Sequence, residues 1–432
     1  RSIEERMNIV ARLKSLTLLK NASIYTGSNI LSALVPFFCM PILTRYLEPS
    51  DYGIVAMMGS IISFMTPFVG MNVHGAVAAA YYHDNVDFPE FVKSCTTILI
   101  VSTVVVTLAV LLGANIIESY TLFPGDWLWT VVVVCFCQYI LVVQLTILQV
   151  KQKAIKYGTI QIISVVTNTG LSLYLVVVLS MNWQGRVLAQ VFSGCLLLVY
   201  SIYFLRKNGL LGLSFDEKYI KRALNFGVPL IPHAISGSLM TMADRFFVAN
   251  FIDIGTAGLF VLGSQIGSGM ELLTSSFNKA YVPWLFGNLK NITEEKKVRI
   301  VKLTYMYFIA ILVIAACYSL LMPSILGILV GEKFYAASDY IWPFAFAGAL
   351  NGMYYMLVNY IFYKGETTKL MHRTISVSVL HTFISYCFTY KYGVIGACWC
   401  VIISYLLFVV TTWSLSNKVY KMPWIKFIKG IH

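Results

Sequence analysis

Charged side chains make up only 12% of this chain. Those that fall inside long apolar runs are the first candidates for chemistry, because an ion in hydrocarbon is costly and needs a reason to be there. Glu271 lies within the apolar stretch 258–278. Its carboxylate could take up H+ or Na+ as a coupling ion, reach toward water, or pair with Lys279. Asp244 and Arg245 stand just past the stretch 223–243, where they could form a gate or an ion pair at a helix end facing water. Arg45 occupies a roughly corresponding place near the start of the chain, where an interfacial anchor is the simpler role. His233 follows Pro232, and His381 sits near the middle of 370–389. An imidazole there could titrate near neutral pH, bind a polar ligand, or be satisfied by a neighbouring helix. Four amides, Gln138, Gln144, Asn168 and Asn351, fall at mid-depth and should face the interior. They could hydrogen-bond cargo or hold helices together, at about 0.6 kcal/mol each.

The usual catalytic and metal-binding patterns are missing from the sequence. There are no paired acids, no H-E-x-x-H and no nucleophile elbow. Gly331-Glu332-Lys333 lacks the rest of a phosphate-binding loop, which argues against an ATP-driven pump. Cys135-x-Cys137 and Cys398-x-Cys400 have no histidine or acid beside them in sequence. The nine cysteines therefore read as small buried hydrophobes rather than metal ligands or a disulfide framework. Neither an enzyme, a metal nor a cofactor is expected.

The elements that must position these residues follow from composition. Hydrophobic residues make up 58% of the 432, against about 45–50% apolar and roughly a quarter charged in a soluble domain. The apolar runs are about twenty residues long, the length of a spanning helix. Strands of a membrane barrel would instead alternate over about ten. Twelve spans are predicted, near 22–43, 54–73, 94–116, 127–150, 158–180, 187–205, 223–243, 258–278, 303–322, 341–363, 370–389 and 393–415. With the N-terminus in the cytoplasm, this count leaves 27 of the 32 Lys and Arg on the cytoplasmic side and 5 outside, as the positive-inside rule requires. The net charge of +13 is then a matter of orientation and does not imply nucleic acid. The external loops are too short to hold a catalytic domain.

The spans divide into two related halves. A shift of 205 residues lays Tyr46–Ile54 over Phe251–Leu259, matching aromatic to aromatic, acid to acid and Gly53 to Gly258. Each half opens on a helix with two prolines, Pro36 and Pro41 in one, Pro229 and Pro232 in the other. Proline bends such helices by removing a backbone donor. The expected organisation is a basic amphipathic segment 1–20, a six-helix bundle 21–205, a polar linker 206–222, a second bundle 223–415 and a basic interfacial tail 416–432. Both ends suit an anionic membrane surface. Residues 1–20 lack a long apolar core, so no cleavable signal peptide is expected there.

The stretches LKNASIYTGSNILSALVPFFCMPILTRYLEPSDYGI (19–54), ADRFFVANFIDIGTAGLFVLGSQI (243–266) and YVPWLF (281–286) resemble bacterial O-antigen and related oligosaccharide-lipid flippases. These belong to the multidrug/oligosaccharidyl-lipid/polysaccharide exporter superfamily. The resemblance implies an all-α integral membrane protein of about 12 helices, in two pseudo-symmetric six-helix bundles around a central cavity, working by alternating access in the bacterial inner membrane. Its implied cargo is an oligosaccharide repeat unit on undecaprenyl diphosphate, with H+ or Na+ as coupling ion and polysaccharide polymerase machinery as a candidate partner. Arg45 or Arg245 could then offer a charged fork to the diphosphate, and His233, Asn168 or Asn351 could bind sugar. A multidrug exporter of the same superfamily is the alternative. Exporters of cationic drugs usually carry an acid in the first helix, and 22–43 has none. The lipid II flippases usually have two further helices.

Overall fold

A computed structural model describes residues 24, 27–81, 85–290 and 292–424. The predicted segment 1–20 and the end of the predicted tail, 425–432, lie outside the described residues. The helices are α1 (Gly27–Tyr46), α2 (Pro49–Gly70), α3 (Val73–Ala80), α4 (Phe88–Leu112), α5 (Ala114–Thr121), α6 (Leu128–Val150), α7 (Ala154–Leu173), α8 (Asn182–Lys207) and α9 (Glu217–Gly227). They continue as α10 (Ile231–Phe251), α11 (Ile254–Gly267), α12 (Gly269–Lys290), α13 (Glu294–Leu329), α14 (Ile341–Lys364) and α15 (Thr367–Val419). Among the described residues nine helical stretches are long and apolar enough to cross a membrane. The longest, α15, reverses at Gly393 (φ 64°, ψ −148°) and so comprises two of the predicted spans. Counting it twice, and adding α10 and the nearly continuous α11–α12, gives twelve rods. The outward stripe of α4, including Val101, Val105, Leu108 and Leu112, is exposed, an arrangement that suits hydrocarbon and not water. The chain is an all-α, multi-pass membrane protein.

Contacts divide the chain into two compact units. One takes the chain up to Leu47 with Ile61–Ser119 and Phe123–Ile231; the other takes Glu48–Ser60, Tyr120–Leu122 and the chain from Pro232 onward. In the first unit α6 packs on α3, α4 and α8. Tyr139 anchors this packing, its hydroxyl accepting from the His74 amide at 3.0 Å. The core of the second unit lies among α12, α13 and α14, where Leu285, Ile311, Ala349 and Tyr360 are buried together.

The seventh span differs from expectation. The sequence places it at 223–243; the structure starts it at Ile231 and runs it to Phe251. Residues 217–227 instead form the separate helix α9, capped by Asp216, which accepts from the Lys218 and Tyr219 amides at 2.9 and 3.2 Å. Its polar face excludes it from a hydrocarbon span. The prolines explain the boundary. Pro229 sits in a short 3-10 turn and Pro232 is the second residue of α10, where the missing donor costs nothing. They start this helix rather than bend it.

The 205-residue repeat reappears as a contact within the second unit. A Cβ added at Gly53 on α2 would run into the carbonyl oxygen of Ile254; one added at Gly258 on α11 would run into the carbonyl of Pro49. The same shift that relates Gly53 to Gly258 relates Pro49 to Ile254, so the contact maps onto itself. The start of α2 and the start of α11 cross backbone to backbone about a local pseudo-dyad, and only glycine permits that approach.

Candidate functional site

The second unit encloses a cavity of about 530 Å³ walled by α10, α11, α12, α14 and both arms of α15. Most of its surface is aliphatic or aromatic, with a few convergent polar groups, the usual make-up of a small-molecule site. Those groups form two clusters.

The first cluster centres on Asp244, which is 5% exposed. It lies two turns inside α10 and not at a helix end. Its Oδ1 accepts from the Ser385 hydroxyl at 2.5 Å and lies 3.1 Å from Nε2 of the buried His381. The other ring nitrogen of His381 meets the Ser404 hydroxyl at 2.7 Å and Cys400 Sγ at 3.5 Å. The α15 hairpin builds this arrangement. His381 and Ser385 lie one turn apart on its first arm, Cys400 and Ser404 one turn apart on its second, and the tight reversal at Gly393 sets the arms face to face. Asp244, His381 and Cys400 each place a ligand atom within 4.8 Å of the others. They are therefore the residues that could hold a cation. The expectation that Cys398-x-Cys400 lacks histidine and acidic neighbours is corrected here: the neighbours come from other helical segments.

Arg245 follows Asp244 but projects about 100° further round the helix and faces α2. It donates to Ser60 Oγ at 3.1 Å and to the Ala56 carbonyl at 3.5 Å. The two residues thus engage different neighbours, α15 for Asp244 and α2 for Arg245. A helix-end ion pair facing water does not describe them.

The second cluster is Glu271 with Asn351 and Tyr355. Glu271 lies near the middle of the α11–α12 rod, just past the break at Ser268, deeper than its predicted place. Asn351 Nδ2 donates to Glu271 Oε1 at 3.1 Å and to the Tyr355 hydroxyl at 3.2 Å. The expected alternative partner Lys279 is replaced by an amide. Glu271 is exposed to the cavity and makes no ion pair among the described residues.

Five predicted residues therefore line one cavity: Asp244, Arg245, Glu271, Asn351 and His381. Arg45 and Asn168 are not among its described lining residues. Arg45 is exposed near the end of α1, and Asn168 on α7 has its carbonyl oxygen buried without a partner in the first unit. The side chain of His233 lies outside the described residues. Of the remaining amides, Gln144 is buried and accepts from Ser201 at 2.6 Å, which is helix–helix glue. Gln138, midway along α6, is exposed, against the expectation that it turns inward; the rotation of the helix turns this position away from its packed face. Sequence reading left Ser385, Ser404, Tyr355 and Tyr405 unremarked. The hydroxyls at one-turn spacing beside His381 were the available signal.

Residues 18–288 match the family described as "Polysaccharide biosynthesis protein". The chain is 28% identical over 379 residues to an uncharacterized membrane protein of Haemophilus influenzae, covering 85% of this chain and 89% of that one. Among solved structures it is similar to the lipid II flippase MurJ in an inward closed conformation (TM-score 0.73, 14% identity, 94% of this chain and 89% of that one). It is also similar to an inward-facing multidrug resistance MATE transporter of the MOP superfamily (TM-score 0.70, 13% identity, 95% and 96% covered). At these identities the likeness establishes the two-bundle fold.

Proposed function

We infer the function from one premise: this chain belongs to the polysaccharide biosynthesis protein family. We propose that it is a flippase that carries undecaprenyl-diphosphate-linked oligosaccharide units across the bacterial inner membrane by alternating access, coupled to H+ or Na+, for O-antigen or another surface polysaccharide. The bias of 27 basic residues to 5 supports termini in the cytoplasm. The division into bundles at 21–205 and 223–415, joined by 206–222, is part of the same proposal.

The observation that carries the reading is the polar cavity with two carboxylates of different character. Asp244 is already engaged by a serine and a histidine; Glu271 has only an amide donor and open space. A carboxylate with a neutral partner in an apolar surrounding can bind a proton or Na+ and release it without breaking a salt bridge. Glu271 is the proposed coupling site, with Asn351 and Tyr355 orienting it. The Asp244–His381 pair is the second ion-binding group. Arg245, the one fixed cation among the described residues that line this cavity, is the proposed partner of the diphosphate. Arg45, His233 and Asn168 are lesser candidates for contact with cargo.

Deletion of the gene in a strain without a paralogue tests the proposal. Lipid-linked units should accumulate on the cytoplasmic leaflet, protected in spheroplasts from an impermeant glycosidase. Unchanged arrival at the outer leaflet rejects it. A multidrug exporter is the second reading, favoured by the MATE-like fold and by acids in the cavity. It requires that expression raise resistance to cationic dyes.

A further inference from the structure

A second polar cavity, of about 660 Å³, lies where α14 ends, α15 begins and α15 ends. Among the described residues four fixed cations line it, Lys364, Lys369, Arg373 and Lys418, together with His372 and a single acid, Glu366. Glu366 is already spent on Lys369, at 3.1 Å. Lys364 is held 5.5 Å above the Tyr420 ring, and Arg373 donates one N–H to the Thr411 carbonyl, leaving the rest of its fork available. Chain geometry gathers these charges. Gly365 (φ 74°) ends α14 in the left-handed conformation and turns the chain directly into the next helix, so Lys364 and Lys369 face one space.

Two features make this more than a solvated basic end. Lys364 and Lys418 lie in last turns, where cations suit the helix dipole, but Lys369, His372 and Arg373 lie in the first two turns of α15. There the dipole is positive, and the N-cap, Glu366, makes no side-chain hydrogen bond to the helix and is paired with Lys369. The remaining basic groups converging at one helix start favour a bound anion. The depth indicates which anion. Beside the cavity aromatic side chains pack at the same helix ends, Tyr360 and Tyr363 on Tyr420, and Tyr305 and Trp413 on Trp424, with Tyr360 and Trp424 buried in the core. The ends of spanning helices lie at the headgroup layer. Leu415 and Val419 supply an apolar wall.

We propose that this cavity binds the phosphate of an anionic bilayer phospholipid, at a site separate from the cavity of Glu271 and Asp244. The inference is independent of the transported cargo and uses the functional reading only to name the leaflet as cytoplasmic. The test is native mass spectrometry of the delipidated full chain titrated with phosphatidylglycerol, with phosphatidylcholine and inorganic phosphate as the other arms. The wild type should bind phosphatidylglycerol in preference to phosphatidylcholine, and equimolar inorganic phosphate should not displace it. The Lys369→Gln/Lys418→Gln variant should bind about thirtyfold more weakly, from the usual strength of two basic contacts at an anionic surface, whereas Lys369→Arg/Lys418→Arg should retain binding. If the double glutamine variant does not fold, Lys418→Gln alone should weaken binding about fivefold. Equal binding by the glutamine variants, equal affinity for phosphatidylcholine, or displacement by inorganic phosphate each overturns the proposal.

Discussion

Alanine at Gly258 should destabilise the protein, and adding alanine at Gly53 should cost no more. At each position the new methyl would meet a backbone carbonyl rather than a side chain: that of Pro49 for Gly258, that of Ile254 for Gly53. Carbon atoms rest about 3.5 Å or more from their neighbours, and these carbonyls stand more than an ångström closer than that. No rotamer change relieves the clash, so α2 and α11 must part. Forced expansion of a tight contact costs about 1–3 kcal/mol, and a contact made of two backbones belongs at the upper end. Alanine returns about 1 kcal/mol of helix propensity over glycine, so either single variant should lose about 2 kcal/mol. Because one local dyad relates the two clashes, the separation that admits the first methyl also admits the second. The double variant should therefore lose about 1 kcal/mol, one separation of about 3 kcal/mol offset by two propensity gains of about 1 kcal/mol each, instead of about 4 kcal/mol, a coupling within the range seen for residues in contact. Gly59, on the same helix with nothing within 4 Å of its would-be Cβ, is the control, and Gly59→Ala should leave stability unchanged or raise it by about 1 kcal/mol. Thermal unfolding of the purified protein in one detergent reads all four variants. Additive losses at Gly53 and Gly258, or a loss at Gly59 as large as theirs, would refute the shared crossing.

Glu271→Gln should abolish the dependence of transport on the ion gradient while leaving expression and melting temperature within error of wild type. Reconstituted vesicles with and without an imposed gradient measure it, and retained coupling removes Glu271 from the mechanism. Asp244→Asn should cost about 3–5 kcal/mol, the usual penalty for removing one partner of a buried ion pair, and Asp244→Asn with His381→Gln should recover part of it; thermal melts of the wild type and the two variants decide. Ser201→Ala leaves the Gln144 carbonyl oxygen buried without its donor and should cost about 1–3 kcal/mol without changing the ion dependence of transport.

The spans were legible because length alone encodes them: hydrocarbon demands about twenty apolar residues whatever the neighbours. The pairing of Gly53 with Gly258 was also legible, since a repeat preserves the residues of its own crossing. The start of α10 was not. Residues 223–230 are apolar enough to extend a span, and only the cap at Asp216 and the prolines Pro229 and Pro232 assign them to a different helix. The cavity was half visible. Rarity of charge singles out Asp244, Arg245 and Glu271, but which wall each faces depends on helix rotation. His381 and Asp244 stand 137 residues apart, four fewer than the 141 between Asp244 and Ser385, and no local pattern joins them. The serines that complete the site belong to a residue type that is ordinary in membrane helices.

The reversal at Gly393 bears on how the chain enters the bilayer. Arg373 opposite Thr411, His381 opposite Ser404 and Phe388 opposite Gly396 pair the two arms across a turn with almost no loop. The first arm, with His372 and Arg373 near its start and the polar His381 at its middle, is a poorer candidate for insertion alone than the second, since polar and charged side chains raise the cost of a span. The second arm is oily and carries no charge from Gly393 to Asn417. Folded against each other in the translocon, the arms can leave it together as one helical hairpin. A spacer between Tyr392 and Gly393 would let the first arm be sorted by its own hydropathy, and a glycosylation tag placed there would report whether it had crossed.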